Sequence, residues 1–378
     1  MAAANERASV GGDVLHLEVG QPGGSLPQPV RDAVDTAMAR SCLGYTEALG
    51  QGALRRAIAD LYRDWYGETV DWRRIVVTTG ASGAFILAFL AAFDAGARVG
   101  VTEPGYPAYR NILKALDLEP MGLRCAPETG FRADLAVVGN RNLNGLVLAS
   151  PANPTGTTID DATLQAIARH CRDEATTLVM DEIYHGLFFH AGGHGSLVNQ
   201  DGVFVVNSFS KFFGLTGWRI GWLVVPDGWL ETVDRLAQNL FISPPHVAQV
   251  AALASLDCQG VFRRRVETYR RNAEMLMAAL AAGGLDSFVR PDGAFYVYAN
   301  TERLGHPSSE LCRLWLAEIA VAAAPGLDFD RIRGEDYVRF SVAGDERDVA
   351  RAGERLSDWL SRHAGPGGST SLAAAARN

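Results

Sequence analysis

The stretch Asn207-Ser-Phe-Ser-Lys-Phe-Phe-Gly-Leu-Thr-Gly-Trp-Arg-Ile-Gly221 combines an amine, hydroxyl groups and a guanidinium group in one short segment. Its lysine, Lys211, is one of only two lysines in the chain. The other, Lys114, belongs to an amphipathic helical pattern and is predicted to lie on the surface. Lys211 is therefore the candidate for an amine nucleophile.

The groups around Lys211 suit a phosphorylated aldehyde. A lysine amine can form a Schiff base with a carbonyl compound. Hydroxyl and guanidinium groups, such as those of Ser208, Ser210 and Arg219, can bind a phosphate. Pyridoxal 5'-phosphate is a cofactor that has both an aldehyde and a phosphate. A polar loop closed by glycines is the alternative that this stretch alone leaves open.

The composition is that of a globular protein with small molecules as partners. The 378 residues are 48% hydrophobic and 21% charged, and the chain is long enough for a large domain and a smaller one. No window contains the eighteen or so uninterrupted apolar residues of a membrane helix. A net charge of −8 without a long basic run argues against nucleic acid and against a membrane surface as partners.

Neither metal binding nor disulfide formation is indicated. The five cysteines are scattered without a C-x-x-C pair. His16, His185 and His246 have no partner at metal-ligand spacing, so no metal site is predicted and the three are interpreted as structural or surface residues. The first residues lack the basic and apolar regions of a secretory signal. We therefore expect a reducing, cytoplasmic location.

Strand and helix patterns alternate from about residue 75 to residue 225. This alternation predicts an α/β fold with a mostly parallel central sheet and helices on both of its faces. Five of the predicted strands end just before a polar residue or a glycine. Parallel strands place such positions at one edge of the sheet, where ligands bind. These positions are Gly80, Tyr106, Asn153, Asp181 and Ser208.

The predicted organisation has two domains with flexible ends. Residues 1–12 are expected to be untethered, and residues 364–378 to form a flexible tail. The large, cofactor-binding domain spans residues 41–260, and shorter strands and helices predict a smaller α+β domain at residues 261–363. The segment 13–40 is expected to pack with that small domain.

Several side chains at the strand ends suit a pyridine ring. A carboxylate at Asp181 could keep the ring nitrogen protonated. Tyr184 and Asn153 could contact the phenolic oxygen of the ring, and Tyr106 could stack on it. A strand-end turn or ion pair for Asp181, and an exposed turn position for Tyr106, are the structural alternatives.

Two further positions could bind anions. The segment Gly80-Ala-Ser-Gly-Ala opens a helix, whose free N–H groups can bind a phosphate, although Ser82 could instead cap that helix. Arg339 alternates with apolar residues in a predicted strand, where an arginine is costly unless it is paired. Its partner could be a substrate carboxylate or a buried acidic side chain.

Together these motifs resemble the fold-type I, aspartate-aminotransferase-like enzymes of class I/II, which use pyridoxal phosphate. The resemblance runs from about Leu15 to Leu356 and follows the family's order. The motifs are Gly44-Tyr…Gly50, Thr79-Gly-Ala-Ser-Gly-Ala, Pro104-Gly-Tyr-Pro, Asn153-Pro-Thr-Gly, Asp181-Glu-Ile-Tyr, Ser208-Phe-Ser-Lys…Gly-Trp-Arg and Arg339-Phe-Ser.

The resemblance implies a role for each motif. Lys211 would be the Schiff-base lysine and the proton carrier, and Asp181 would pair with the pyridine nitrogen. Tyr184 and Asn153 would hold the ring oxygen, and Tyr106 would stack on the ring. In this family the peptide bond between Asn153 and the following proline can be cis.

The same resemblance implies the phosphate and substrate sites. Arg339 would clamp the α-carboxylate of the substrate, and the backbone at Gly20 would line the substrate side. Tyr45 would reach the phosphate of a partner subunit, which implies a homodimer. The phosphate cup would consist of Ala81, Ser82, Ser208, Ser210 and Arg219.

The activity implied is transfer of an amino group between an L-amino acid and a 2-oxo acid. No residue clearly matches the second arginine that dicarboxylate-specific members use, which argues against aspartate or glutamate. Elimination, cyclisation or oxidation of an amino acid, such as an arginine-derived one in an antibiotic pathway, would need the same cofactor motifs. A regulatory domain that only senses the cofactor is a third alternative, and the intact lysine argues against it.

Overall fold

The computed structural model describes residues 1–139, 141–190 and 195–363, so the predicted tail at 364–378 lies outside the described residues. The strands are Leu15–His16 (β1), Ile75–Thr78 (β2), Arg98–Glu103 (β3), Glu119–Arg124 (β4), Gly145–Ala149 (β5), Thr177–Asp181 (β6), Val203–Ser208 (β7), Gly221–Val224 (β8), Phe288–Val289 (β9), Tyr296–Asn300 (β10), Val321–Ala322 (β11), Ala324–Pro325 (β12) and Tyr337–Ser341 (β13).

Helices separate most of these strands, as the alternating pattern predicted. They are Ala2–Ser9 (α1), Gln28–Arg40 (α2), Gly52–Tyr66 (α3), Gly80–Ala92 (α4), Pro107–Ala115 (α5), Leu135–Val138 (α6), Asp161–Asp173 (α7), Leu230–Leu240 (α8), His246–Leu256 (α9), Gln259–Ala282 (α10), Ser308–Ile319 (α11) and Glu346–His363 (α12).

The large sheet has seven strands in the order β2-β8-β7-β6-β5-β3-β4. Only β8 runs against the others, because it pairs antiparallel with both β2 and β7 while the remaining neighbours pair in parallel. Consecutive residues of β5, β6 and β7 are buried, so both faces of the sheet are covered. The predicted α/β fold, with a mostly parallel sheet between helices, is confirmed.

Helix α4 begins at the edge of this sheet where the site is located. It is almost entirely apolar, seven of its thirteen residues are buried, and it packs on β7 and β8. Because β2 ends at Thr78 and α4 begins at Gly80, the free N–H groups of the first helical turn lie at the ends of the parallel strands. Ser82 lies inside that turn, and the N-cap residue is Thr79. The capping role considered for Ser82 is therefore wrong.

The C-terminal part of the chain contains a four-stranded antiparallel sheet in the order β12-β13-β10-β9. The N-terminal segment is attached to this C-terminal part of the chain. β1 pairs in parallel with β11 in a separate two-stranded sheet, and the Ser341 N–H donates a 2.7 Å hydrogen bond to the Leu17 carbonyl. Residues 18–20 are thereby held beside β13. The domain boundaries stay predictions, and the one at residue 260 falls in the first turn of α10.

The N-terminus differs from the untethered segment that the sequence predicted. Residues 2–9 form helix α1, in which Ala4 is buried. Arg7 donates a hydrogen bond of 2.7 Å to the carbonyl of Ala317. This helix is difficult to predict because its apolar residues are alanines, whose burial depends on a partner far along the chain.

Candidate active site

Two adjoining cavities lie at the carboxyl edge of the large sheet. The first, of about 230 Å³, is lined by groups predicted to bind phosphate. The second, of about 400 Å³, extends toward β13 and the segment 18–20. Both are lined by Val19, Gly20, Tyr106, Ile183 and Lys211. Lys211 therefore lies where the two cavities meet.

The smaller cavity brings together hydroxyl groups, a helix N-terminus and a guanidinium. Ser208 Oγ lies 2.9 Å from Ser210 Oγ, and Arg219 Nη1 lies 3.5 Å from the same Ser210 oxygen. Ala81 and Ser82 of α4 form the opposite wall. Gly80 must be a glycine here, since its φ is +74° and a Cβ would lie 2.4 Å from Arg219 Nη2.

Asp181, the last residue of β6, is a buried carboxylate that lines neither cavity. Its Oδ2 accepts a short hydrogen bond from the Tyr109 hydroxyl, and its Oδ1 accepts one of 3.0 Å from the Ile183 N–H. Burial raises the pKa of Asp181 to about 6, although both hydrogen bonds and the charge of Lys211 act in the opposite direction. Asp181 forms no ion pair with any described residue, so the predicted alternative of a core ion pair is not observed.

Tyrosine hydroxyls meet on the other side of Lys211. Tyr184 Oη and Tyr296 Oη are 2.8 Å apart, and burial raises the pKa of Tyr184 well above its ordinary value. Lys211 Nζ lies 5.9 Å from the centre of the Tyr184 ring and donates a hydrogen bond of 2.8 Å to the Gly20 carbonyl. Tyr106 is half-buried and lines both cavities, which differs from the exposed turn position considered as its alternative.

Arg339 forms the far wall of the larger cavity. Its Nη1 donates to Asn153 Oδ1 at 2.9 Å and its Nη2 to the Glu18 carbonyl at 2.7 Å. The guanidinium carbon lies 4.4 Å from the centre of the Tyr296 ring. No carboxylate of the described residues pairs with Arg339, and its buried Nε has no hydrogen-bond partner. A buried acidic partner, one of the two predicted possibilities, is therefore not observed.

The smaller cavity and its surroundings fit pyridoxal 5'-phosphate. Hydroxyls, helix N–H groups and a guanidinium are the donors that a phosphate requires. An amine at Lys211 suits the aldehyde, and a buried carboxylate at Asp181 suits a protonated ring nitrogen. The peptide bond between Asn153 and Pro154 is cis, as the resemblance implied.

Three residues of the site did not emerge from the sequence. Tyr109 binds Asp181, Tyr296 binds Tyr184, and Glu18 lines the larger cavity. The alternating pattern of β10 makes Tyr296 look like a core residue. The hydroxyl group of Tyr296 could have identified it as a possible site residue, because a buried tyrosine usually needs a hydrogen-bond partner.

Two sequence predictions concern residues away from these cavities. Tyr45 is 84% exposed and does not line either cavity of its own chain. His185 is buried and its ring nitrogens lie 2.6 Å from Tyr66 Oη and 3.0 Å from the Ser150 carbonyl. This placement agrees with the structural interpretation of His185.

Comparison with known proteins identifies the class. The sequence pattern of the family "aminotransferase class I and II" matches residues 12–356. The chain is 43% identical to valine–pyruvate aminotransferase from Mycobacterium tuberculosis, over 95% of this chain and 94% of the relative. It is 33% identical to aspartate/prephenate aminotransferase from Thermus thermophilus, over 96% and 94% of the two chains.

A solved structure supports the same assignment. A crystal structure of an aminotransferase from Mycobacterium tuberculosis superposes with a TM-score of 0.92 at 42% identity, covering 95% of this chain and 94% of the other. The chain belongs to the aminotransferase class I and II family. It is a pyridoxal-phosphate-dependent aminotransferase of fold type I, which acts on an amino acid and a 2-oxo acid. Among the described residues, no helix has the length and apolar character needed to span a membrane.

Proposed function

We propose that this enzyme transfers the amino group between an L-amino acid without a side-chain carboxylate and a small 2-oxo acid. The lining of the larger cavity carries this proposal. Its cationic side chains are Lys211 and Arg339, and its acidic residues are Glu18 and Asp328. With Lys211 reserved for the cofactor and Arg339 for the α-carboxylate, a second carboxylate would meet two acidic residues and no further cationic side chain among the described residues that line this cavity.

The relatives support this choice in part. The Mycobacterium tuberculosis relative is named for valine and pyruvate, which are a neutral amino acid and a small 2-oxo acid. The apolar residues Val19, Ile183, Ala323, Ala324 and Pro325 of the same cavity suit such a substrate. The Thermus thermophilus relative is named for aspartate and prephenate, at a lower identity.

The cofactor would be held at three points. Ser208, Ser210 and Arg219, with the first turn of α4, would bind its phosphate. Asp181 would hold the ring nitrogen, and its buried position would keep water from competing for that contact. Tyr106 would cover the ring, while Tyr184 and the Asn153 amide would face its phenolic oxygen. When bound, the cofactor supplies an electron-withdrawing ring that stabilises negative charge on the substrate α-carbon.

Arg339 would bind the substrate α-carboxylate. Its Nε is a buried donor without a partner, and such a donor is costly unless a ligand satisfies it. The Asn153 and Glu18 oxygens hold the two Nη groups in place, so the guanidinium is preorganised for a charge-assisted contact.

Lys211 would move the proton. Its amine is held at the junction of the two cavities by the Gly20 carbonyl. From there Nζ would take the proton from the substrate α-carbon and deliver it to the former aldehyde carbon of the cofactor. Tyr184 and Tyr296, linked through their hydroxyls, would keep that side of the cavity in a fixed arrangement.

We propose that the active enzyme is a homodimer in which Tyr45 of each subunit reaches the phosphate of the other. The exposure of Tyr45 supports this, because a tyrosine that is 84% exposed is available to a second copy of the chain. The cytoplasmic location stays a prediction.

The test is a panel of amino acids given to the purified holoenzyme, with pyruvate as acceptor. We expect alanine to form from pyruvate and neutral amino acids, with kcat/KM at least tenfold above that for aspartate and glutamate. Preference for aspartate would contradict the proposal. Release of ammonia, or uptake of oxygen, in place of alanine formation would favour elimination or oxidation.

A further inference from the structure

Glu18 is an unusual residue within the substrate cavity. Its side chain is 7% exposed and it lines the cavity of about 400 Å³ that also holds Lys211 and Arg339. A carboxylate is rarely buried to this extent without partners for both of its oxygens.

Only one oxygen of the Glu18 carboxylate has a partner. Oε1 lies 2.9 Å from Nδ1 of His16, whose side chain is 38% exposed. Oε2 is buried and has no hydrogen-bond partner among the residues that the structure describes. An unsatisfied buried acceptor costs free energy, which a ligand with a donor group would recover.

Glu18 is also in direct contact with Arg339. Arg339 donates to the backbone carbonyl of Glu18 and not to its carboxylate. The guanidinium group proposed to bind the α-carboxylate therefore contacts the backbone of the residue that carries the unpaired Oε2. Asp328 adds a second, exposed acidic residue to the cavity rim, so this wall favours cationic groups and disfavours anionic ones.

We infer that Glu18 is the side-chain recognition residue of this enzyme and that it accepts a hydrogen bond from a substrate whose side chain ends in a donor, above all an ammonium or guanidinium group. This inference rests on the proposed function, since it assumes that the substrate α-carboxylate binds Arg339. Glu18 would then act twice, by attracting cationic side chains and by repelling a second carboxylate.

L-ornithine, L-norvaline and L-glutamate test this inference, because their side chains share a three-carbon length and end in an ammonium, a methyl and a carboxylate group. In the holoenzyme with pyruvate, the Glu18→Gln substitution should lower the ratio of kcat/KM for ornithine over norvaline by ten- to a hundredfold. It should raise the ratio for glutamate over norvaline. Equal changes for all three substrates would overturn the inference.

The matched control is Glu310→Gln. Glu310 also contacts a histidine, His306, at 3.3 Å, but it lies on α11 and lines neither cavity. This variant should leave both ratios unchanged. If Glu310→Gln changed the two kcat/KM ratios as much as Glu18→Gln does, the inference would be overturned. Loss of a charge outside the cavity would then be enough to change the substrate preference.

A binding measurement separates failure of the inference from failure of the proposed function. α-Methyl amino acids have no α-proton and cannot be turned over, so calorimetry with α-methylornithine and α-methylnorvaline reports recognition alone. Glu18→Gln should weaken α-methylornithine binding ten- to a hundredfold relative to α-methylnorvaline. If the wild type transaminates no amino acid of the panel that tests the proposed function, that proposal is wrong, while this binding ratio still supports the role of Glu18 if it falls and overturns it if it does not.

Discussion

Lys211 Nζ donates a hydrogen bond of 2.8 Å to the carbonyl oxygen of Gly20, a residue 191 positions earlier in the chain. Lys211 follows β7 of the large sheet, and Gly20 follows β1, which pairs with the C-terminal part. The Lys211 amine is thus positioned by both parts of the molecule.

The close approach of Tyr296 to Gly20 predicts that this position does not tolerate a side chain. A Cβ at Gly20 would lie 2.0 Å from Tyr296 Oη, so Gly20→Ala should displace the tyrosine and lower kcat/KM by about ten- to a hundredfold. Gly217→Ala is the control, because a Cβ there meets no atom within 4 Å. Wild-type kcat/KM in Gly20→Ala would argue against the steric explanation.

Lys211 should be indispensable, and the only other lysine provides its control. Lys211→Ala should remove the visible absorbance that the cofactor gains when joined to the amine and lower kcat by at least about a thousandfold. Lys114→Ala changes an exposed residue at the end of α5 and should leave both properties unchanged. Spectra and initial rates measure the two effects. Survival of the absorbance in Lys211→Ala would mean that the cofactor is joined elsewhere.

The hydroxyl of Tyr296 should matter more than that of its neighbour Tyr298 on the same strand. Tyr296→Phe removes a contact of 2.8 Å with Tyr184, worth roughly 0.5–1.5 kcal/mol, so kcat/KM should fall about three- to tenfold. The Tyr298 hydroxyl is buried without a partner, so Tyr298→Phe should leave activity unchanged and keep or raise the stability. Equal losses in both variants would contradict the assigned role of the Tyr184–Tyr296 pair.

The sequence predicted the residues at the ends of parallel strands better than those whose positions depend on pairing between distant segments. Lys211, Asp181 and Ser208 could be predicted because parallel strands place their carboxyl ends at one edge. Glu18 and Tyr296 could not, because their positions depend on how β1 and β10 pair with strands distant in sequence. The two-residue β1 has no periodicity that could reveal such a pairing.

The buried Asp181 should destabilise the cofactor-free protein as the pH rises. Burial raises its native pKa to about 6 from an ordinary 3.8, so the native state binds more protons than the unfolded state between these values. The associated stability is present below pH 4 and is lost as the pH rises through 6, amounting to about 3 kcal/mol.

Asp181→Asn should remove this dependence. The free energy of unfolding of the variant minus that of the wild type should therefore be more positive at pH 7 than at pH 4, by on the order of 2–3 kcal/mol. Urea titrations of both cofactor-free proteins at the two pH values measure it. At the same time the variant should bind the cofactor more weakly, since the ring nitrogen would lose its proposed anionic partner. A difference that does not change with pH would show that Asp181 titrates normally.

Subunit complementation tests whether Tyr45 serves the partner's site. Tyr45→Ala and Lys211→Ala homodimers should both be impaired, the first in cofactor affinity and the second in catalysis. In a mixed dimer, the subunit that keeps Lys211 would receive an intact Tyr45 from its partner, so one site would be complete. Random reassociation of equal amounts should then recover about a quarter of wild-type activity.

If Tyr45 instead serves its own subunit, each site of the mixed dimer keeps one defect, and mixing restores no activity. Mixing with a Tyr45→Ala/Lys211→Ala double variant provides the control, because no pairing with either single variant yields a site that has both residues.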